Sequence, residues 1–291
     1  MKPILRVSWS RLREWMSCPW RYDMMYNQDM VAKRTRPAMQ NGSIFHRALE
    51  AWYRGEDVAV RMGDIETATG NPIPPEVRDS VYAYTQYVTD RGAKDFIPKL
   101  VEFPFEIPLN QLTLMDRGVT RYRVSFVGVM DLVATYGSTL ALIDHKLQTN
   151  MPSVNATDHL GSTYPQLPIY CWASNFLGHP IFDAVLNVTS IRRTNDKTKR
   201  FPIRFTSEQL AGWETWLYDQ IIAMLTTSNY LRNLGSISCS DCFFAVPCEL
   251  SMMQSEMFSR VVKQDFRSKS EGANEMEWQR SFPEAFLKEV R

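Results

Sequence analysis

Helical periodicity opens the chain. Leu12, Trp15, Met16 and Trp20 form the apolar face of a helix from Ser8 to about Tyr26, with Ser8 or Ser10 available as cap and Pro19 breaking the pattern. A second helix is predicted from about Gly42 to Arg54. A Gly/Pro-rich loop at 70–76 leads into a third, roughly Glu76 to Arg91, carrying Val81, Tyr84 and Val88. The period then shortens to two. Leu100–Ile107 alternates, and Pro104 marks it as an edge strand. Arg121–Phe126 alternates too, Val127–Thr135 is more continuously apolar, and Thr139–Lys146 is a strand entered through the turn Gly137-Ser138. A helix follows from about Tyr164 to Leu177, with Pro165 and Pro168 in its first turn. Ile181–Ile191 and Lys199–Phe205 read as a hairpin. Thr206 and Gln209 form a capping box that opens a long helix through Leu210, Trp213, Leu217, Ile221 and Met224.

This order of elements predicts an α/β fold, a mixed central sheet flanked by helices, in a single domain over 1–262. The core lies at about 99–206, with helical parts at 1–98 and 207–262 and a polar tail at 263–291. The longest apolar runs, such as Leu140–Ile143, are far short of the ~20 residues that span a bilayer, so no membrane is expected. Met1–Ser10 holds charge and no apolar stretch of a secretory signal, and the expected location is the cytoplasm of a bacterium or of a phage-infected host cell.

Charge is balanced, with 33 Lys+Arg against 32 Asp+Glu, so a nucleic-acid partner requires positive charge to be concentrated locally. Two stretches qualify: Lys33-Arg34-Thr35-Arg36, and Arg192, Arg193, Lys197, Lys199, Arg200 and Arg204. Either could track phosphates, but a solvated loop or hairpin tip is the favoured reading of each taken alone.

Five cysteines without an export signal argue against a disulfide framework. Cys239, Cys242 and Cys248 form Cys-x2-Cys-x5-Cys, a spacing that suits a metal–thiolate site and needs a fourth sulfur. Cys171 follows Ile169-Tyr170 in an apolar helix, where a thiol is a small core residue. Cys18 precedes Pro19 at a helix break. The set Cys18, Cys239, Cys242 and Cys248 is therefore assigned to one site. It would join the chain's two ends across roughly 220 residues, a closure worth on the order of 5 kcal/mol. Spacing alone leaves zinc, an iron–sulfur cluster and metal-free thiols open.

Two acids lie inside apolar strands: Asp131 in Phe126-Val-Gly-Val-Met-Asp131, and Asp144 in Leu140-Ala-Leu-Ile-Asp144. Charge in a strand interior is costly unless it is paired or holds a cation. Lys146, two residues beyond Asp144, projects from the same face. If the two strands pair through Gly137, the carboxylates converge and make a hard oxygen site for Mg2+, with Lys146 placed to serve a water or offset charge on a phosphate. A structural Asp144–Lys146 ion pair with Asp131 capping a turn accounts for these three residues equally well.

Gly128-Val-Met-Asp131, Asp144-His145-Lys146 and Gln166-Leu-Pro-Ile-Tyr170 resemble, in order and rough spacing, the motifs of PD-(D/E)XK nucleases of the RecB-like branch. Gly42-Ser-Ile-Phe-His46-Arg-Ala-Leu49-Glu50 resembles that branch's upstream histidine motif. Ser8-Trp-Ser10-Arg-Leu12 leading to Cys18-Pro19, with the three later cysteines, resembles the iron–sulfur version found in CRISPR-associated RecB-like nucleases and the AddB nuclease domain. The likeness covers roughly residues 8–250.

The resemblance implies a restriction-endonuclease-like core whose N- and C-terminal helical segments are joined by a metal cluster. It implies Asp131, Asp144, the His145 carbonyl and His46 as ligands of Mg2+ or Mn2+, Lys146 serving the water, and Gln166 and Tyr170 reaching the lysine or the DNA backbone. It also implies a 4Fe–4S cluster on Cys18, Cys239, Cys242 and Cys248, and leaves Cys171 in the core. His159 and His179 receive no role. The activity implied is a metal-dependent deoxyribonuclease, an exonuclease on DNA ends or single strands, in replication, recombination, repair or phage DNA processing. No G-x-x-x-x-G-K-[ST] loop is present, so a motor would be a separate helicase or recombination partner. A non-catalytic nucleic-acid-binding module that keeps fold and cluster is the alternative, and a zinc-stabilised structural protein a third reading.

Overall fold

The computed structural model describes residues 4–33, 37–92, 95–109, 123–151, 164–192, 197–235, 237–240 and 242–268. Its centre is one long strand. β4 (Arg123–Tyr136) has β3 (Ile97–Pro108) antiparallel along one edge. The other edge is shared. β1 (Ile4–Ser8) runs parallel to the first part, from Ile4↔Arg123 to Ser8↔Val127. β5 (Thr139–Gln148) pairs antiparallel with the last part, from Leu132↔Ile143 to Tyr136↔Thr139. Between Val127 and Leu132 that edge has no registered partner among the described residues, and β4 and β5 part there. β5 continues in parallel with β6 (Asp183–Ser190), and β6 pairs antiparallel with β7 (Thr198–Arg204). The result is a six-stranded mixed sheet.

Both faces are covered. On one lie α1 (Trp9–Ser17), α6 (Gln166–Phe176) and α7 (Ser207–Thr226), whose apolar sides meet Phe126, Met130, Leu142 and Leu186 in the largest core. On the other lie α3 (Pro37–Tyr53), α4 (Val58–Thr69) and α5 (Pro75–Arg91), which build a second core around Phe45, Met62 and Tyr84. This is the expected α/β architecture, consistent with a restriction-endonuclease-like core. Pro98 and Pro104 sit in β3, whose only strand partner among the described residues is β4, as an edge strand with missing N–H donors should. The Thr206–Gln209 capping box opens α7 with both reciprocal hydrogen bonds made.

Three elements differ from the periodicity reading. β1 carries only one buried residue, Val7, too short a signal against the helix that follows. α4 buries just Val58, Met62 and Ile65, but Asp57 caps it and Gly70 ends it in a left-handed conformation. β4 is unbroken where two strands were read.

A smaller lobe gathers the chain's two ends. α2 (Pro19–Tyr22), a π-helical turn (Asp23–Asn27) and β2 (Met30–Ala32) meet α8 (Ile237–Ser240), α9 (Ala245–Met252), α10 (Met257–Asp265) and β8 (Phe266–Ser268). β8 pairs with β2, so residues 263–268 belong to this lobe, not to the polar tail. Its core is small: Met24, Phe244 and Phe266, with Trp20 and Phe258 packed around them. No helix among the described residues is long and apolar enough to cross a membrane.

Candidate active site and metal centre

The candidate site occupies the fork where β4 and β5 part. Past Ile143 the β5 backbone loses its β4 partner, and the freed His145 N–H donates instead to Asp131 Oδ2 at 2.9 Å. Asp131 also faces α3, with His46 Nδ1 3.4 Å from Oδ2. Lys146 Nζ reaches Asp144 at 2.8 and 2.7 Å and Gln166 Oε1, at the start of α6, at 3.5 Å. Tyr170 lies one turn further along α6 and is buried. Its ring sits so close to Gly128 that a β-carbon there would come 2.7 Å from the phenol oxygen. The Tyr170 hydroxyl is held by Gln166 and the Val129 backbone, an arrangement that supports the lysine's partner.

One residue escaped the sequence reading. Glu102 stands in β3 between Val101↔Leu132 and Phe103↔Met130, which places it opposite Asp131. Its carboxylate, the His46 imidazole and Asp131 offer ligand atoms all within 4.8 Å of one another. Alternation alone assigns Glu102 to the same outward series as Glu106, which pairs with Arg6. Only the register opposite Asp131 distinguishes them. Glu102 has φ +48°, a left-handed backbone that costs a non-glycine residue on the order of 1–3 kcal/mol and is retained where surroundings enforce it.

The electrostatics suit a divalent cation. Burial, then the charges of Asp131 and Glu50, push Glu102 up to about 8, with Arg54 partly opposing. Burial raises Asp144 as well, despite Lys146. Asp131 is held below its ordinary value, because His46, Lys146 and the His145 side chain and N–H outweigh its burial. Burial alone would lower Lys146, but Asp144 and Asp131 hold it high and charged. Three crowded carboxylates with one lysine and one imidazole form the hard oxygen-plus-nitrogen set that suits Mg2+ or Mn2+.

The five cysteines lie in two places. Cys171 is buried in α6 and its thiol is pushed far up by burial. Cys18, Cys239, Cys242 and Cys248 line one cavity of about 220 Å3 in the smaller lobe, with Arg21 and Arg232. Cys18 stands extended at the break between α1 and α2, its N–H bonded to the Glu14 carbonyl. Burial raises the Cys248 thiol while Arg232 opposes, and Cys18 and Cys242 are near enough to contribute. The Nε atoms of Arg21 and Arg232 are buried without a partner. Two guanidinium groups beside four thiols suit a negatively charged metal–thiolate group.

The basic stretches fare differently. Lys33 Nζ caps the Lys263 and Gln264 carbonyls, and Arg34 and Arg36 lie outside the described residues, as do Arg193 and His159. Arg200 tracks nothing: its side chain is 4% exposed and paired with Asp95 at 2.6 Å. A strand-periodic arginine pointing inward is indistinguishable by sequence from one pointing out.

The fold and the forked carboxylate site define a nuclease class. Residues 6–249 match the PD-(D/E)XK nuclease superfamily, and the chain belongs to it. Members are nucleases that use divalent metal ions, and DNA is the substrate the family implies. Two solved structures are similar in fold. SSO0001 shares 15% identity over 84% of this chain and 86% of its own, with TM-score 0.40. A protein named "Putative exonuclease" from Eubacterium rectale shares 10% identity over 80% and 86%, with TM-score 0.46. No curated protein matches.

Proposed function

We propose that the protein is a metal-dependent deoxyribonuclease of the RecB-like branch, acting as an exonuclease on DNA ends or single strands in the cytoplasm. The observation that carries this reading is the grouping of His46, Glu102 and Asp131 at the β4–β5 fork, beside the Asp144–Lys146 pair.

Asp131, Asp144, Glu102, His46 and the His145 carbonyl would hold Mg2+ or Mn2+. A divalent ion bound there supplies Lewis-acid polarisation of the phosphodiester and makes water a better nucleophile. Asp131 is kept ionised, so it offers its charge at neutral pH. Asp144 and Asp131 hold the Lys146 ammonium up, and its Nζ is placed to orient the attacking oxygen and to offset charge developing on the phosphate. Gln166 fixes Nζ from the far side, and Tyr170 fixes Gln166.

The four-cysteine cavity would hold a 4Fe–4S cluster, clamping the two ends of the chain over the core. The split arrangement of its ligands supports this over zinc, and the two arginines beside them suit the negative charge of either group. A separate helicase or recombination partner would supply any motor.

The test is incubation of anaerobically purified protein with end-labelled single- and double-stranded DNA plus Mg2+ or Mn2+. Cation-dependent release of label, lost in EDTA, is the expected result; intact DNA under every condition rejects the catalytic reading in favour of a binding module.

A further inference from the structure

The side chain of His145 points away from the carboxylates. Asp144 and Lys146 share the face covered by α1 and α6, so the residue between them faces α3 and α5. There it starts a row that runs straight across the sheet. His145 lies opposite Asn187 in β6, and Asn187 opposite Arg200 in β7. Asn187 Nδ2 is 2.8 Å from His145 Nδ1, and Arg200 Nε donates to Asn187 Oδ1 at 3.3 Å. Arg200 closes the row with a two-oxygen contact to Asp95, at 2.6 and 2.8 Å.

The hydrogen bonds fix one consistent set of donors. Arg200 gives to the amide oxygen, the amide nitrogen gives to the ring, and the ring carries its own proton on Nε2, which is buried without a partner. Tyr53 stacks on the imidazole and Tyr84 meets it edge-on, locking its plane. Asn187 is 0%, His145 2% and Asp95 3% exposed. Apolar residues of similar volume are often at least as stabilising as a buried ion pair. A polar row in such a place therefore invites a role in positioning.

We propose that Asp95, Arg200, Asn187 and the His145 ring are positioning residues that hold the His145 peptide in place at the fork. That peptide gives its N–H to Asp131 and, on the proposed function, its carbonyl to the divalent ion. The proposal rests on that reading, and it adds the residues that keep the ligands in place. Partners that orient ligands typically change metal affinity about 10–100-fold when removed.

The experiment compares Mn2+ binding by wild type, Asn187→Leu and the double variant His145→Phe/Asn187→Leu, by calorimetry or electron paramagnetic resonance without DNA. Thermal melts run alongside. The double variant replaces both partners by apolar groups and keeps the test available should the single variant not fold. Ser174→Ala, which removes a buried hydroxyl bonded to the His179 carbonyl, is the control. Expected are Mn2+ affinities about 10–100-fold weaker in the row variants, cleavage recovering at saturating Mn2+, and unchanged affinity in the control. Folded row variants with wild-type affinity overturn the proposal while leaving the metal reading intact. A wild-type protein that binds no Mn2+ overturns both.

Discussion

The fork between β4 and β5 and the four-cysteine cavity are both candidate metal sites, and they are built on opposite principles. At the fork, β3, β4 and β5 are held in register by ladder hydrogen bonds and by large cores on both faces. The carboxylates are brought together against their own repulsion, and the strain is visible in Glu102, whose proton is held up to about 8. The cavity has no such scaffold. Its four cysteines come from a helix break, a four-residue helix, the turn after that helix and an eight-residue helix, around a core of three buried residues. The sheet imposes geometry on the side chains at the fork, whereas a group bound at the cavity, as proposed, would have to supply much of what holds the lobe together.

That contrast predicts opposite responses to mutation. The largest effect at the fork is on rate. Lys146→Met removes the cation nearest the attacked phosphate but leaves every carboxylate, so Mn2+ should bind at least as tightly while single-turnover cleavage falls by about 100-fold or more. A large loss of metal affinity would show that Lys146 builds the site instead.

At the cavity the effect is on stability. Cys18→Ala should lose the bound metal and melt about 5–15 °C lower, given a long closure worth about 5 kcal/mol. Cys171→Ala should cost only about 1–2 kcal/mol and keep the metal, since Cys171 is core. Metal analysis and visible spectra of anaerobic preparations check both, and zinc without iron would correct the cluster assignment.

Glu102 gives the pH test. Its folded value is raised, so it stays protonated in the folded chain between the ordinary carboxylate range and about 8, where the unfolded chain is ionised. Without a cation, stability should fall as pH rises through that window. A bound cation must displace the proton, so Mn2+ affinity should rise by about tenfold per pH unit below 8 and level off above. Glu102→Gln should flatten both curves; parallel curves for variant and wild type would remove Glu102 from the site.

The smallest effect is His46→Ala. Three carboxylates remain, so affinity should drop by about tenfold or less, with Mn2+ losing more than Mg2+ because imidazole favours the softer ion. An unchanged metal preference would mean that His46 only neutralises Asp131.

How much of this was legible follows from what each residue's neighbours are. Asp131, Asp144 and Lys146 announce themselves as charges inside apolar strands, and the strands' shared turn brings them to one fork. Cys18 is separable from Cys171 because one sits at a proline break and the other inside an apolar helix. Glu102 and Arg200 are invisible for one reason. Each occupies a polar position of a strand with alternating character, and only cross-strand register, opposite Asp131 for one and Asn187 for the other, shows that it faces a site or a core. α4 is hidden from periodicity because it buries only three side chains, and exposed Val60 and the alanines blur its apolar face.

The most direct test of the fork as a hydrolytic metal site is Asp144→Asn, which keeps the side chain's shape and its place beside Lys146 while removing the charge. End-labelled DNA should be cut by wild type with Mn2+ and remain intact with the variant at saturating Mn2+, both proteins melting at closely similar temperatures. Cleavage by Asp144→Asn at the wild-type rate would contradict the site.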